Sequence, residues 1–178
     1  MIEVREISEN ETERGALAML ELRPRWGTAA AVVDFIDNSL RPAGYRLVGV
    51  FDGDQPDAVA ATGFREVHAL AWGHYLYVDD VSTLPAARRR GYGELLMDWL
   101  AEEAARLRCE GLHLDSGVAM DRAPAHRLYM RHRLRISAHH FERAIPGTEA
   151  QAAALLDTFL GAEIEAGKQA ARENEPQI

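Results

Sequence analysis

Three consecutive arginines and two glycines form the part of the sequence best suited to chemistry. They are Arg88, Arg89 and Arg90, followed by Gly91 and Gly93. Glycines let the backbone approach a ligand closely and turn its N–H groups towards one point. A helix that begins here adds unpaired amides and the positive end of its dipole, and guanidinium groups bind phosphate as forked donors. The segment therefore predicts a pyrophosphate-binding loop at a helix N-terminus.

Two better-known phosphate loops do not match this segment. A Walker A loop needs Gly-Lys-Ser/Thr after its spacer, and the sequence has none. A dinucleotide-binding fingerprint needs a third glycine three residues after the second, where Leu96 stands, and its strand should be the first of an α/β unit instead of the fourth strand. The alternative interpretation is a basic helix N-terminus in which the glycines serve only a tight turn.

The elements that must position this loop are predicted from hydrophobic periodicity. Ser8 with Glu11 predicts a capping box for a helix over 8–23, and Thr28 can cap a second helix that Pro42 and Gly44 close. The remaining prediction is a strand over 2–7, strands over 45–51, 58–67 and 74–84, a helix over 91–109, a strand over 112–114, a helix over 122–133, a strand over 137–144 and a helix over 148–171. Hairpins mixed with helical crossovers predict an α+β fold, a mixed, mostly antiparallel sheet flanked by helices with an extra C-terminal helix.

Length and composition limit the class of protein. The 178 residues predict a single domain over 1–146 and a C-terminal helical extension over 147–178. The single cysteine, Cys109, excludes an internal disulfide framework and favours a reducing, cytoplasmic environment. Residues 1–7 lack the apolar region of a signal peptide, and no stretch approaches the ~20 apolar residues of a membrane span, so no membrane partner is expected.

Charge points to the kind of ligand. The chain has 20 Lys and Arg against 28 Asp and Glu, a net charge of −8. An acidic protein repels phosphate backbones, so nucleic acid is not expected as a partner, whereas a cationic substrate such as an amine fits better. The seven histidines show no metal-binding spacing such as His-Glu-x-x-His, so no metal is expected.

Residues 88–93 resemble the Arg/Gln-x-x-Gly-x-Gly/Ala signature of the GNAT (Gcn5-related) N-acetyltransferases. Residues 112–115 and 125–131 are similar to the family's next strand and helix, and the resemblance covers residues 74–143 well. It implies the GNAT fold and a loop that binds the pyrophosphate of acetyl-CoA. Two positions depart from the family pattern: Arg133-Leu134 replace its Gly-Phe pair, and Arg122 stands where many members have Asn.

The resemblance implies acyl transfer from the thioester of acetyl-CoA, as co-substrate, to a primary amine. Direct transfer within a ternary complex is expected, because the sequence offers no activated Cys or Ser. A small amine is the expected acceptor and a homodimer is possible. Two alternatives stay open: an inactive acyl-CoA-binding sensor or assembly module, and an acetyltransferase that acts on protein N-termini or lysines.

Asp79 and Asp80 are the candidates for the base that the amine needs. A carboxylate with an ordinary pKa of ~3.9 is a weak base unless burial or its acidic neighbour raises that pKa. Strand alternation predicts that the two side chains lie on opposite faces, with Asp79 on the face of Tyr77 and Val81. Similarity to polyamine-type acetyltransferases, which carry a Glu-Asp pair here, favours Asp79. The alternative is a carboxylate that caps a loop or pairs with an arginine.

Tyr129 is the candidate general acid. The family places a helix tyrosine beside the sulfur of CoA, and a phenol with an ordinary pKa of ~10 suits protonation of a thiolate. The alternative is a core aromatic beside Leu128 and Ala125. Backbone groups of the strand are expected to pair with the pantetheine, one N–H polarising the thioester carbonyl. The expected cofactor-binding residues are Val81, Ser82, Thr83, Arg88, Arg89, Arg90, Gly91, Tyr92, Gly93 and Glu94.

Overall fold

Five strands form one mixed sheet in this computed structural model, which describes residues 1–143. The strands are β1 (Ile2–Ile7), β2 (Tyr45–Asp52), β3 (Ala60–Ala69), β4 (Gly73–Thr83) and β5 (Gly111–Leu114). The helices are α1 (Glu13–Leu22), α2 (Ala29–Phe35), α3 (Tyr92–Arg106) and α4 (Ala123–Arg131). The predicted helical extension over 147–178 lies outside the described residues.

The sheet follows chain order, β1-β2-β3-β4-β5. The first four strands form an antiparallel meander, and β5 pairs with β4 in parallel. Two parallel neighbours need a crossover connection, and α3 provides it. The predicted mixed, mostly antiparallel sheet flanked by helices is confirmed.

Alternation along β2 divides the helices between the two faces of the sheet. Tyr45 and Leu47 are buried in the hydrophobic cluster that includes residues of α1 and α2. Arg46, between them, points the other way and binds Glu103 of α3 at 2.5 Å. The sheet is therefore covered by α1 and α2 on one face and by α3 on the other.

The starts of the first two helices differ from each other in how well local sequence predicts them. Thr28 caps α2 as expected, because its hydroxyl accepts from the N–H of Ala31 at 3.1 Å. The capping box at Ser8 is wrong: residues Glu9–Glu11 form a 3-10 turn, and α1 begins at Glu13. Arg5 binds both carboxylate oxygens of Glu11, at 3.1 and 3.2 Å, and the Ser8 hydroxyl donates to the same carboxylate at 3.1 Å, so the Ser8 side chain accepts no backbone N–H.

The last predicted strand is also wrong over its described part. Residues 137–143 alternate in polarity, yet they form no strand. Phe141 is 90% exposed, so this apolar side chain packs on no core among the described residues. Alternation alone does not make a strand, because the backbone also needs a neighbouring strand to pair with.

The chain divides into two compact units. The first comprises Met1–Asp115 and Arg131–Arg133, and the second, in its described part, comprises Ser116–Met130 and residues 134–143. In the second unit, His126 at the start of α4 bonds the carbonyl of Gly117 at 2.8 Å. No described helix is long and apolar enough to cross a membrane, and no group of His, Cys, Asp and Glu in residues 1–143 could hold a metal ion.

Candidate active site

A β-bulge interrupts β4 at the predicted acidic pair. Gly63 of β3 lies opposite Asp80, but the next residue of β3, Phe64, lies opposite Val78. Asp79 is therefore the extra residue, with no partner across the β3–β4 ladder. Bulges bend the strand that carries them and redirect its side chains.

The bulge brings both carboxylates to one face, so the prediction of opposite faces is wrong. Arg65 donates to both oxygens of Asp79, at 2.9 and 2.6 Å, and the hydroxyl of Tyr45 donates to Asp80 at 3.1 Å. Tyr45 and Arg65 lie directly opposite each other in the β2–β3 register, so their side chains share a face. Alternation assumes a continuous ladder, and the extra residue breaks it.

Asp79 has the electrostatic environment of a base. Burial raises the pKa of its carboxyl above the ordinary value, the bond to Arg65 opposes that rise, and the nearby charge of Asp80 adds to it. Its side chain keeps 22% exposure, against 13% for Asp80. Asp80 pairs with Arg23 at 2.8 Å. Both carboxylates are paired with arginine, and the raised pKa of Asp79 strengthens it as a proton acceptor relative to an ordinary aspartate.

Beyond the bulge, β4 has an open edge. Its pairing with β5 runs only from Tyr75 to Val78. Val81, Ser82 and Thr83 stay in register with β3 on the other side, and no strand of the first unit pairs with them on the side of β5. An unpaired edge presents backbone N–H and C=O groups to an extended ligand.

The loop after β4 turns tightly into α3. Gly91 is the residue before the helix and has φ +87°, a conformation that glycine adopts at little cost. A Cβ at Gly91 would meet no atom of residues 1–143 within 4 Å, so the backbone here is open on that side within the described part of the chain. Arg89 also has a positive φ of +63°, which is costly for a residue with a side chain and is typical of functional loops. The backbone of the predicted phosphate loop is therefore accessible at Gly91 within the described residues.

Two of the three loop arginines are already paired with carboxylates. Arg88 binds Glu21 of α1 at 2.7 Å and Arg90 binds Asp52 of β2 at 2.7 Å. Arg89 makes no hydrogen bond or ion pair within residues 1–143 and is exposed. Local sequence gave no signal for these pairs, because Glu21 and Asp52 lie far from the loop along the chain.

Tyr92 and Glu94 have side chains that are engaged within the protein. Tyr92 is buried, and its hydroxyl donates to Asp52 at 2.5 Å, a bond that lowers the pKa of Asp52 and raises that of Tyr92. Glu94 binds Arg131 and also His132, the latter at 2.5 Å, and the bond to Arg131 lowers the pKa of the Glu94 carboxyl. Only backbone groups of Tyr92 remain available to a ligand.

Tyr129 lies in α4 and belongs to the second unit. It is the buried residue of that helix, and its carbonyl accepts from the N–H of Leu134 at 3.0 Å. The other predicted site residues, Asp79 to Thr83 and Arg88 to Glu94, belong to the first unit, where β4, the loop and the start of α3 follow one another.

Gly63 is required by the bonds around the bulge, and its replacement by alanine is expected to destabilise the fold. An alanine Cβ would lie 1.7 Å from the Tyr45 hydroxyl and 2.0 Å from its ring carbon. Displacing this buried ring is expected to cost about 3 kcal/mol, which lowers the thermal midpoint by about 6–12 °C in a chain of this length. Gly53→Ala is the control: its Cβ would meet nothing within 4 Å, and it carries only the strain of φ +72°, about 1 kcal/mol. Equal midpoints for the two variants would show that the tyrosine shifts at a cost no larger than that strain.

Comparison with known proteins places the chain among acetyltransferases. The acetyltransferase (GNAT) family model matches residues 9–133. The structure resembles the aminoglycoside N-acetyltransferase AAC(6')-Iy in complex with CoA, with TM-score 0.68, 11% identity and coverage of 82% of this chain and 95% of that one. It also resembles the ribosomal-protein-alanine N-acetyltransferase from Brucella melitensis biovar Abortus 2308, with TM-score 0.64, 14% identity and coverage of 82% and 100%.

A third similar structure is described as a transcriptional regulator from Bacillus halodurans C-125, with TM-score 0.67, 19% identity and coverage of 82% and 100%. No curated protein matches the sequence. Identities this low establish a shared fold, whereas the family model establishes kinship. Because that model spans well over half of the chain, the chain belongs to the GNAT acetyltransferase family and is an acetyl-CoA-dependent acyltransferase.

Proposed function

We propose that the protein is an N-acetyltransferase that moves the acetyl group of acetyl-CoA directly to a primary amine. The observation that carries the proposal is the order of three structural features along β4 and the loop that follows it. A carboxylate with a raised pKa at Asp79 is followed by an open strand edge, and then by a loop whose glycine faces open space. A base, a site for an extended chain and a phosphate site therefore follow one another along the chain.

Acetyl-CoA supplies the acetyl group as a thioester. The backbone of Val81, Ser82 and Thr83 binds its pantetheine arm at the open edge. The N–H groups around Gly91 and Gly93 bind its pyrophosphate, together with the positive end of the α3 dipole. Arg89 is the arginine best placed to contact the phosphates, because Arg88 and Arg90 would first have to leave carboxylate partners.

Asp79 and Tyr129 divide the proton transfers. Asp79 accepts a proton from the incoming ammonium, directly or through water, since its raised pKa makes it a better base than an ordinary carboxylate. Tyr129 donates a proton to the leaving thiolate as the C–S bond breaks, and the second proton that the nitrogen loses on forming the amide restores the phenol. Neither residue forms a covalent intermediate, so both substrates must bind before transfer occurs.

A small amine is the proposed acceptor. The aminoglycoside acetyltransferase, an enzyme of small substrates, favours this choice, whereas the ribosomal-protein-alanine acetyltransferase favours a protein N-terminus. A panel of both kinds of amine separates the two. Binding of acetyl-CoA without turnover on any amine would instead favour the sensor or assembly module.

The first test is the thermal midpoint with and without acetyl-CoA, with NADH and ATP as controls. A ligand at about 100 times its Kd adds about 2.7 kcal/mol of stability, which corresponds to a rise of about 5–10 °C for a chain of this length. A rise with acetyl-CoA alone supports the proposal. No rise would mean that residues 88–93 form only a turn.

Gly91→Ala is expected to weaken acetyl-CoA binding about tenfold, an effect of about 1.4 kcal/mol, because its methyl group would enter the space proposed for the pyrophosphate. Gly44→Ala is the matched control, since Gly44 has φ +88° and its Cβ would also meet nothing within 4 Å. Both variants carry the same backbone strain, about 1 kcal/mol, and should lose similar stability. Titration of acetyl-CoA by calorimetry checks the difference. Equal affinities in the two variants would refute the phosphate site.

A further inference from the structure

The two members of the acidic pair are held in different ways. Among residues 1–143, Arg65 alone binds both oxygens of Asp79, and its side chain is 39% exposed. Asp80 is held by two residues that both precede it in the chain. The side chain of Arg23, at the end of α1, donates to one carboxylate oxygen at 2.8 Å, and Tyr45 of β2 donates to the other at 3.1 Å.

Arg23 also contacts the backbone of the bulge. Its guanidinium donates to the carbonyl of Asp79 at 3.2 Å, and the Thr62 hydroxyl donates to the carbonyl of Asp80 at 2.8 Å. A bulge disrupts the ladder of the strand that carries it, and side chains satisfy both carbonyls here. One guanidinium therefore ties together the side chain of Asp80 and the main chain of Asp79.

The ring of Tyr45 is buried against the sheet, and its hydroxyl reaches Asp80. Its side chain is buried, with 3% exposure, and its ring occupies the position that a side chain at residue 63 would take. Residue 63 lies opposite Asp80 in the ladder, so the glycine there leaves room for the hydroxyl beside the carboxylate. A buried hydroxyl aimed at a carboxylate next to a bulge fixes the carboxylate more firmly than an exposed ion pair does.

We propose that Arg23 and Tyr45 are positioning residues, which hold Asp80 so that the bulge keeps the Asp79 carboxylate in place for proton transfer. The proposal rests on the proposed function, in which Asp79 is the base. Asp80 is then the structural member of the pair. A displacement of about 1 Å at a reacting group can cost 10²-fold in rate. Loss of the contact that Arg23 or Tyr45 makes with Asp80 should therefore lower kcat.

Tyr45→Phe and Arg23→Gln test the two ties. Each is expected to lower kcat about tenfold, as for a misplaced reacting group, while the KM for acetyl-CoA changes by less than about threefold, because the phosphate loop is untouched. Arg23→Lys keeps the charge and one donor and should recover part of kcat. The controls are Tyr75→Phe, whose hydroxyl makes no hydrogen bond in residues 1–143, and Arg25→Gln, an exposed arginine two residues away. Both should keep kcat within about twofold.

The pH profile separates positioning from electrostatics. The charged and titratable groups facing Asp79 are Arg65 of β3, Arg23 directly after α1, Tyr45 of β2, and Asp80 and Tyr77 of its own strand. Arg23→Gln removes a positive charge and should also move the acidic limb of kcat/KM to higher pH. Tyr45→Phe removes no charge and should lower kcat without that shift.

Amide hydrogen exchange of the ligand-free protein gives a readout that does not depend on turnover. Exchange at residues 79–83 should become about tenfold faster in Tyr45→Phe and Arg23→Gln, because opening of the bulge loses a tie, and it should be unchanged in the two controls. Unchanged exchange and unchanged kcat in both variants would overturn the proposal. Wild-type protein that acetylates no amine would overturn the proposed function instead, and the exchange rates would still decide whether Arg23 and Tyr45 hold the bulge.

Discussion

Replacement of Tyr129 by phenylalanine is expected to lower kcat by about 10²-fold or more and to leave the affinity for acetyl-CoA nearly unchanged. The change removes one hydroxyl and keeps the buried ring of α4, so it removes the proposed proton donor to the thiolate without opening a cavity. An interaction made only in the transition state is lost, which lowers kcat and kcat/KM together. Steady-state kinetics and acetyl-CoA titration measure the two quantities.

Tyr75→Phe is the matched control for Tyr129→Phe, since it removes a hydroxyl from another buried tyrosine. A Tyr129→Phe variant with the turnover of wild type would remove this residue from the mechanism. A variant that has lost acetyl-CoA affinity would assign the tyrosine to binding or packing instead of proton transfer.

Asp79→Asn is expected to lower kcat/KM by about 10²–10⁴-fold, the usual range for loss of a general base. Burial raises the pKa of Asp79, so the wild-type carboxylate loses its basic form as the pH falls through that raised value. The acidic limb of the wild-type profile should therefore lie above the ordinary aspartate pKa of ~3.9, and the Asn variant should lack it. Rate profiles from acidic to neutral pH measure the limb.

Two further variants identify which carboxylate is the base. Arg65→Gln removes the guanidinium that lowers the pKa of Asp79. The acidic limb of kcat/KM against pH should therefore lie at higher pH in this variant than in wild type. Asp80→Asn should lower kcat but keep the acidic limb, because the role proposed for Asp80 is to hold the bulge. If Asp80→Asn abolishes the limb and Asp79→Asn keeps it, the roles of the two residues are exchanged.

Features that depend on neighbouring residues were predictable from the sequence. The loop with Gly91 before a long helix, the Thr28 cap and the order of the strands each depend on a few consecutive residues or on a short period. The family resemblance added the expected chemistry of Asp79 and Tyr129. The family, the fold class and the acyltransferase activity are confirmed, whereas the roles of the individual residues stay predictions.

Features that depend on distant partners were not predictable. The bulge at Asp79 exists only in the register between β3 and β4, so alternation along β4 alone put Asp79 and Asp80 on the wrong faces. Arg23 and Tyr45 lie 57 and 35 residues before Asp80, and nothing in the local pattern marks them as its partners.

Release of free CoA from acetyl-CoA, measured across a panel of amines, tests the central claim of direct transfer to an amine. The panel should include an aminoglycoside, a short diamine and a peptide with a free N-terminal alanine, with the products identified by mass spectrometry. We expect CoA release only when a suitable primary amine is present, in equal amount to an N-acetylated product. CoA released equally without an amine, or acetyl-CoA that raises the thermal midpoint yet is turned over with no amine, would contradict it.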